Sequence, residues 1–398
     1  MLKQPRAQVE FVALMAALMS IAALAIDALL PALDVIGLAI NTSKLADNQL
    51  LITMIFLGLG IGPIIFGPLS DNVGRKPVIY VGFGLFLIAS MICVYAKSLE
   101  MMIAGRILQG IALSAPRTMS VAMVRDTYSG DYMARIMSFI TVVFHLVPIV
   151  APAMGKFILD LYNWQAIFYV QMVFSVLTCF WFWQRQPETL KPENRIPFSY
   201  SVFIEGLREL LKYKTTVGYT LITGFVTGSF LVYLSSAQQI FQEQYALKEE
   251  FPYIFAGLAF AIGTAIFLNG SFVLKFGMEK LITVSLIGFF GVSLLYILLF
   301  YGEANPRVFV LLAFFAMQFF AVGFLFGNLR AITMQPIGHI AGIGSAITGL
   351  ISTLMSVPIS TYIGKYVFDT AIPLFIGFLV CSFLSLTILF YLKQSDKK

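Results

Sequence analysis

Gly67-Pro-Leu-Ser-Asp71-Asn-Val-Gly74-Arg75-Lys76-Pro77-Val78 is a short polar hairpin between two long apolar runs, about 46–69 and 77–96. Its charges, Asp71, Arg75 and Lys76, sit where the chain leaves one run and enters the next. Gly67 and Gly74 permit close backbone approach and angles that side chains disfavour. Pro77 suits the first turn of a helix, where a missing N–H goes unnoticed. Taken alone, the stretch is a helix–helix loop held on the cytoplasmic side by Arg75 and Lys76, because Lys and Arg collect in cytoplasmic loops.

Composition extends that reading to the whole chain. Of 398 residues, 59% are hydrophobic and only 12% are charged, where a soluble domain carries about 25% charged residues. Mean hydropathy is +0.88. This is a polytopic membrane protein, and the need to pair every backbone polar group in lipid makes helices the spans. The alternating strands of a membrane barrel are not seen. Cys93, Cys179 and Cys381 each lie inside an apolar run and form neither a disulfide framework nor a metal cluster. The net charge of +6 reads as membrane topology, not as a nucleic-acid footprint. The first apolar run is followed by many others and reads as a retained span, not a cleaved signal.

A span takes about 20 apolar residues. Twelve runs fit: about 11–33, 46–69, 77–96, 99–124, 136–158, 164–184, 214–236, 252–274, 280–301, 307–329, 339–364 and 370–392. The stretch 185–213 interrupts them with charges and with Pro187, Pro192 and Pro197. Its second part, from Ser199 to Tyr213, reads as an amphipathic helix, with Phe203, Leu207, Leu210 and Leu211 on its apolar side. The expected organisation is a six-helix bundle over 1–184, a cytoplasmic linker over 185–213 and a second six-helix bundle over 214–398. With both termini inside, eighteen Lys and Arg fall on the inner side and six on the outer, leaving Arg106 and Arg117 within the fourth span; that bias sets the orientation. The halves also repeat. A shift of 203 residues carries Gly67 onto Gly270 and Gly74 onto Gly277, while Asp71 falls on Leu274. Parallel six-helix repeats have this form.

Polar residues inside the spans are few. Asp27, in Ile-Asp-Ala-Leu-Leu-Pro31, is the one acid deep in a run. An ionisable group there is a functional candidate by default, and burial disfavours its charged form, which suits reversible protonation. In the fourth span, Gly105-Arg106-Ile-Leu-Gln109-Gly110 continues to Pro116-Arg117 and ends at Arg125-Asp126. Arg106 needs a counter-charge, and Asp27 is the deep acid available to it. Arg117 lies about three turns further on, on nearly the same face. Arg125 and Asp126 cap the span in the cytoplasm. The fifth span carries His145, Pro148, Pro152 and Gly155; the prolines remove donors and kink a helix, and His145 reads as a hydrogen-bonded core residue or a proton relay. The second half has no deep charge, and its polar and aromatic residues suit an apolar or aromatic molecule held by shape and a few hydrogen bonds. No Walker loop or catalytic constellation occurs, so neither ATP drive nor enzymatic chemistry is expected.

These motifs resemble one family. The loop over Gly67, Leu69, Ser70, Asp71, Gly74, Arg75 and Lys76 looks like the loop-2/3 signature of the major facilitator superfamily. Asp27 followed by Pro31 resembles the first-span motif of its drug:proton antiporters, where the acid is implied in proton or cationic-substrate binding. Arg106 with Gln109 and Gly110 resembles the fourth-span motif linked to proton coupling. Pro148, Pro152 and Gly155 resemble the antiporter motif of span five, with Ala151 and Lys156 departing from it. Trp164-Gln-Ala-Ile-Phe168, Pro187-Glu-Thr-Leu190 and Pro116-Arg117 with Arg125-Asp126 resemble the bicyclomycin- and chloramphenicol-resistance branch. The resemblance implies an all-α transporter of twelve spans that exports small hydrophobic or amphipathic compounds against protons. Its partners would be substrate, protons and the bilayer, with no cofactor beyond the proton gradient. The chain would act as a monomer of the cell inner membrane. Asp71, Gly74, Arg75, Lys76, Arg125 and Asp126, with Gly67, would form a conformational latch. An importer or a metabolite or siderophore exporter on the same fold is one alternative, and a non-transporting receptor or scaffold another.

Overall fold

The computed structural model describes residues 5–42, 44–196 and 201–395. The chain divides into two compact units, 1–200 and 201–398. Among the described residues both are helical.

The first unit holds α1 (Pro5–Asp27), the short α2 (Leu33–Ala39) and α3 (Leu45–Asn48), then α4 (Leu50–Val73), α5 (Arg75–Val94), α6 (Leu99–Thr127), α7 (Gly130–Leu161) and α8 (Trp164–Arg185). The second holds α9 (Ser201–Leu211), α10 (Lys214–Gln238), α11 (Phe251–Phe276), α12 (Met278–Phe300), α13 (Val308–Met334), α14 (Ala341–Gly364) and α15 (Ile372–Ser395). Each unit therefore has six helices of 20 residues or more. Among the described residues, 11 segments are long and apolar enough to cross a membrane. The fifth long helix, α7, runs for 32 residues with Pro148 and Pro152 inside it.

The internal repeat governs packing as well as sequence. In the first unit α1 packs on α7 and α8, α4 and α5 on α6, and α5 on α8. In the second, α10 packs on α14 and α15, α11 and α12 on α13, and α12 on α15. Each pair in one unit has its counterpart in the other. The turns between the second and third long helices correspond too. Gly74 and Gly277 have φ of +112° and +79° and lie at the starts of α5 and α12. Glycine enters that region without steric penalty.

Two expectations are adjusted. The first span is not one helix over 11–33. α1 stops at Asp27, a 3-10 turn covers Leu30–Ala32, and α2 resumes at Leu33. Pro31 is the cause: it has no N–H to return to the Asp27 carbonyl. The amphipathic helix begins at Ser201 among the described residues, with residues 197–200 outside them. Phe203, Leu207 and Leu210 pack with Ile337 and Ile347, whereas Leu211 is exposed. A 100° step carries Leu211 past the edge of the stripe.

Candidate functional site

The break in α1 decides the geometry around Asp27. Approaching the break, the backbone carbonyls run out of helical donors. Ala28 N–H still donates to Leu24, but Leu29 N–H turns to Ile26, leaving Ala25 without its helical partner. Side chains from other helices supply what is missing. Arg106 of α6 donates from Nη1 and Nη2 to Ala25 O, each at 3.1 Å, and from Nε to Leu51 O of α4 at 2.7 Å. Its Nη1 also reaches Gln109 Oε1 at 2.7 Å, and Gln109 Nε2 donates to Ser90 Oγ of α5 at 2.8 Å. Gln171 of α8 donates to Leu24 O at 3.5 Å. Arg106 and Gln109 are fully buried. A cation at a helix C-terminus answers both the unpaired carbonyls and the negative end of the dipole. Thus α1, α4, α5 and α6 meet on one guanidinium and one amide.

This corrects the expectation that Arg106 pairs with Asp27. Among the described residues no ion pair or hydrogen bond joins them. The physical reason is local: carbonyls exposed by the helix break satisfy the guanidinium fork without a second charge. Asp27 is buried, 5% exposed, and is the only buried carboxylate among the described residues. Next to it, α7 presses on the break. A Cβ on Gly155 would lie 1.9 Å from Ala28 O, so α7 approaches to backbone distance one residue past Asp27. Pro152 is buried and Pro148 half-buried on the same helix. Arg117 is half-buried in α6, eleven residues beyond Arg106. Residue 145 belongs to α7, but the His145 side chain lies outside the described residues.

The opening hairpin forms a second cluster. Arg75 is 4% exposed and bridges two acids, reaching Asp71 from Nη1 and Asp126 from Nε at 3.0 Å. Its Nη1 also meets Ser70 Oγ at 2.7 Å. Asp71, Arg75 and Asp126 are therefore brought together, while Arg125 is exposed and makes none of these bonds. Lys76 Nζ donates to Gln186 O at 2.6 Å and lies over the Phe182 ring. Gly67 has open space beside it.

Sequence reasoning missed the residue that closes this cluster. Glu188 caps α5: its Oε1 accepts from Arg75 N at 3.1 Å and its Oε2 from Lys76 N at 2.9 Å. Thr189 and Leu190 N–H also bond Oε1. Burial pushes the Glu188 carboxyl up, and bonds from the Leu190, Lys76, Arg75 and Thr189 backbone outweigh it, so it titrates below its ordinary 4.5. Further on, Ile196 N–H donates to Asp71 O and Asn72 Nδ2 donates to Ile196 O. The segment after α8 is thus strapped across the hairpin. Pro187-Glu188 carried the signal, but nothing local says that a carboxylate 113 residues away caps Arg75.

In the second unit several polar side chains are bonded inside the bundle. Gln318 donates to Ser293 Oγ at 2.6 Å, Asn328 to Asn269 at 2.7 Å, and Ser352 to Thr220 O at 3.3 Å. Tyr233 lies in a ring cluster, its centroid 4.4 Å from Phe319 and 5.2 Å from Phe315.

Two units with one helix pairing, a buried acid at a broken first helix, and a charged hairpin between the second and third long helices define a membrane transporter, not an enzyme. The Major Facilitator Superfamily family model matches residues 15–360, and the chain belongs to that family. It is 30% identical over 358 residues to the uncharacterized MFS-type transporter YdgK of Bacillus subtilis, covering 88% of this chain and 87% of that one. It is 27% identical to a bicyclomycin resistance protein homolog of Haemophilus influenzae, over 87% of each chain. It is 25% identical to the multidrug resistance protein MdtL of Salmonella typhi, over 92% and 90%. Among solved structures it shares its fold with a D-xylose-proton symporter, at a TM-score of 0.70, 16% identity and 96% coverage of both chains. The human organic anion transporter MFSD10 gives 0.67 and 16%, covering 97% and 99%. Membership sets aside the receptor or scaffold alternative.

Proposed function

We propose that this chain exports small hydrophobic or amphipathic compounds in exchange for protons, by alternating access. The supporting observation is Asp27, a buried carboxylate beside a helix break with no basic partner among the described residues. Broken spans are where secondary transporters hold substrate and coupling ions. In this reading Asp27 takes the proton or a cationic substrate, Arg106 and Gln109 fix the end of α1, and Arg117 and His145 serve the same coupling path. The cluster of Gly67, Asp71, Gly74, Arg75, Lys76, Arg125 and Asp126 is a conformational latch, and Pro148, Pro152 and Gly155 shape the helix against which the break moves. The spans number twelve, six in 1–184 and six in 214–398, joined by a cytoplasmic linker over 185–213. Both termini face the cytoplasm of the inner membrane, and the monomer uses the proton gradient as its only drive. The names of the relatives in Haemophilus and Salmonella favour export of drugs.

Reconstituted vesicles test this. A pH gradient should drive ethidium flux by the parent protein, and Asp27→Asn should abolish it while leaving folding and insertion intact. Undiminished gradient-driven flux in that variant would remove Asp27 from the mechanism. Ala151 and Lys156 depart from the antiporter motif, which keeps a proton-coupled importer or a metabolite or siderophore exporter as the second reading; substrate moving with the proton would establish the importer.

A further inference from the structure

The internal repeat exposes a difference between the units at one place. In the first, the Glu188 carboxylate covers the start of α5 and lies against Gly74, where a Cβ would come within 2.7 Å of Oε2. The shift of 203 residues carries Arg75 and Lys76 onto Met278 and Glu279, the first two residues of α12. Among the described residues, no carboxylate from elsewhere in the chain caps the N–H groups of Met278 and Glu279. Around Gly277 there is open space. In its place lies a cavity of about 520 Å³, lined among others by Gly277, Met278, Lys280, Thr283 and Lys393.

We propose that this cavity binds the phosphate of an anionic phospholipid from the surrounding bilayer. Two cations line it. Lys393 Nζ is held by Thr283 Oγ1 at 2.8 Å. Lys280 lies over the Phe276 ring at 5.4 Å, and Lys275 over the same ring at 5.2 Å. Among the described residues the lining holds one acid, Glu279, which is exposed, as is Lys280. Backbone donors add to the lysines. Pro77 removes the third N–H of α5, whereas α12 begins with Met278, Glu279 and Lys280, whose N–H groups have no hydrogen-bond partner among the described residues. Such groups favour an anion, as Glu188 demonstrates in the first unit. A lipid fits better than a free ion because the cavity opens onto an apolar stripe. Val284, which lines it, is followed on the same face of α12 by the exposed Ile287, Leu295 and Leu298. Acyl chains would lie along that stripe with the headgroup at its end. Basic pockets between spans recognise lipid headgroups by this combination.

The full-length protein in detergent micelles, observed by native mass spectrometry, tests the site. Phosphatidylglycerol should be retained over phosphatidylcholine of the same acyl chains. Each basic residue near a membrane surface contributes about fivefold, so Lys280→Gln with Lys393→Gln should weaken phosphatidylglycerol retention about thirtyfold. Lys280→Arg with Lys393→Arg should keep it, which separates lost charge from a damaged fold. Equal retention of the two lipids by the parent, or undiminished phosphatidylglycerol retention by the double Gln variant, would overturn the proposal. So would displacement of the lipid by low-millimolar inorganic phosphate, which would mark a site for the free anion. Neither lipid retention nor its loss depends on transport or on Asp27.

Discussion

At the scale of single residues, Arg106 shows how a buried cation is stabilised without a carboxylate. Its donors reach Ala25 O, Leu51 O and Gln109 Oε1. Arg106→Ala should therefore lower thermal stability sharply, since hydrogen bonds to a charged group contribute about 1.5–3 kcal/mol each. Arg106→Lys keeps the charge but loses the planar fork and should recover part of the loss. Because Asp27 shares none of these bonds, the Arg106→Ala effect should be equal in parent and Asp27→Asn backgrounds to within about 0.5 kcal/mol. A double-mutant cycle on unfolding in detergent measures this, and a coupling of about 1 kcal/mol or more would mean that the two side chains meet after all. Glu188 makes a pH-dependent contribution of the opposite kind. Its folded pKa lies below 4.5, so its stabilisation is complete above the unfolded value and is lost as pH falls through the folded one. Glu188→Gln should lower the melting temperature at neutral pH by the equivalent of about 1 kcal/mol, the usual size of a helix cap. That gap should close as the pH falls through this lowered pKa. A gap unchanged by acid would show that the carboxylate charge is immaterial.

At the scale of elements, the contact between α1 and α7 depends on one missing methyl group. A Cβ on Gly155 would meet Ala28 O at 1.9 Å, and backbone cannot rotate away as a side chain can. Gly155→Ala must separate the helices or bend the break. Overpacking of this kind costs about 1–3 kcal/mol. The expected outcome is a folded protein with a lowered melting temperature and slowed transport, measured on the same preparation; parent-like values for both would show that α7 slides without consequence. The break itself follows from Pro31; at its edge Arg106 takes the Ala25 carbonyl, which has lost its helical donor, and Gln171 adds a second bond to the Leu24 carbonyl.

For the whole molecule, the hairpin cluster should act on conformational balance and not on binding. Asp71, Arg75 and Asp126 lie at the end of the helices that carries the turn, away from the break in α1. Asp71→Ala and Arg75→Ala should each lower turnover more than apparent affinity. A shift of 1.4 kcal/mol between two states changes their ratio about tenfold. Initial rates across a substrate series in vesicles distinguish the two effects, and weakened affinity at normal turnover would contradict this role.

The sequence by itself determined the helical membrane class, the placement of the long helices, the hairpin and the internal repeat. Those follow from local properties: runs of apolar residues long enough for a bilayer, glycines at fixed offsets, and prolines without donors. Asp27 was legible for the same reason, as an acid where lipid tolerates few. Its neighbours were not. That Arg106 binds carbonyls instead of Asp27 was decided by where α1, α4 and α6 converge. That Glu188 caps α5 while the start of α12 faces an open cavity was decided by the path of the chain after α8. Charge attraction acts between groups that packing has brought together, so composition names the charges and tertiary structure assigns their partners.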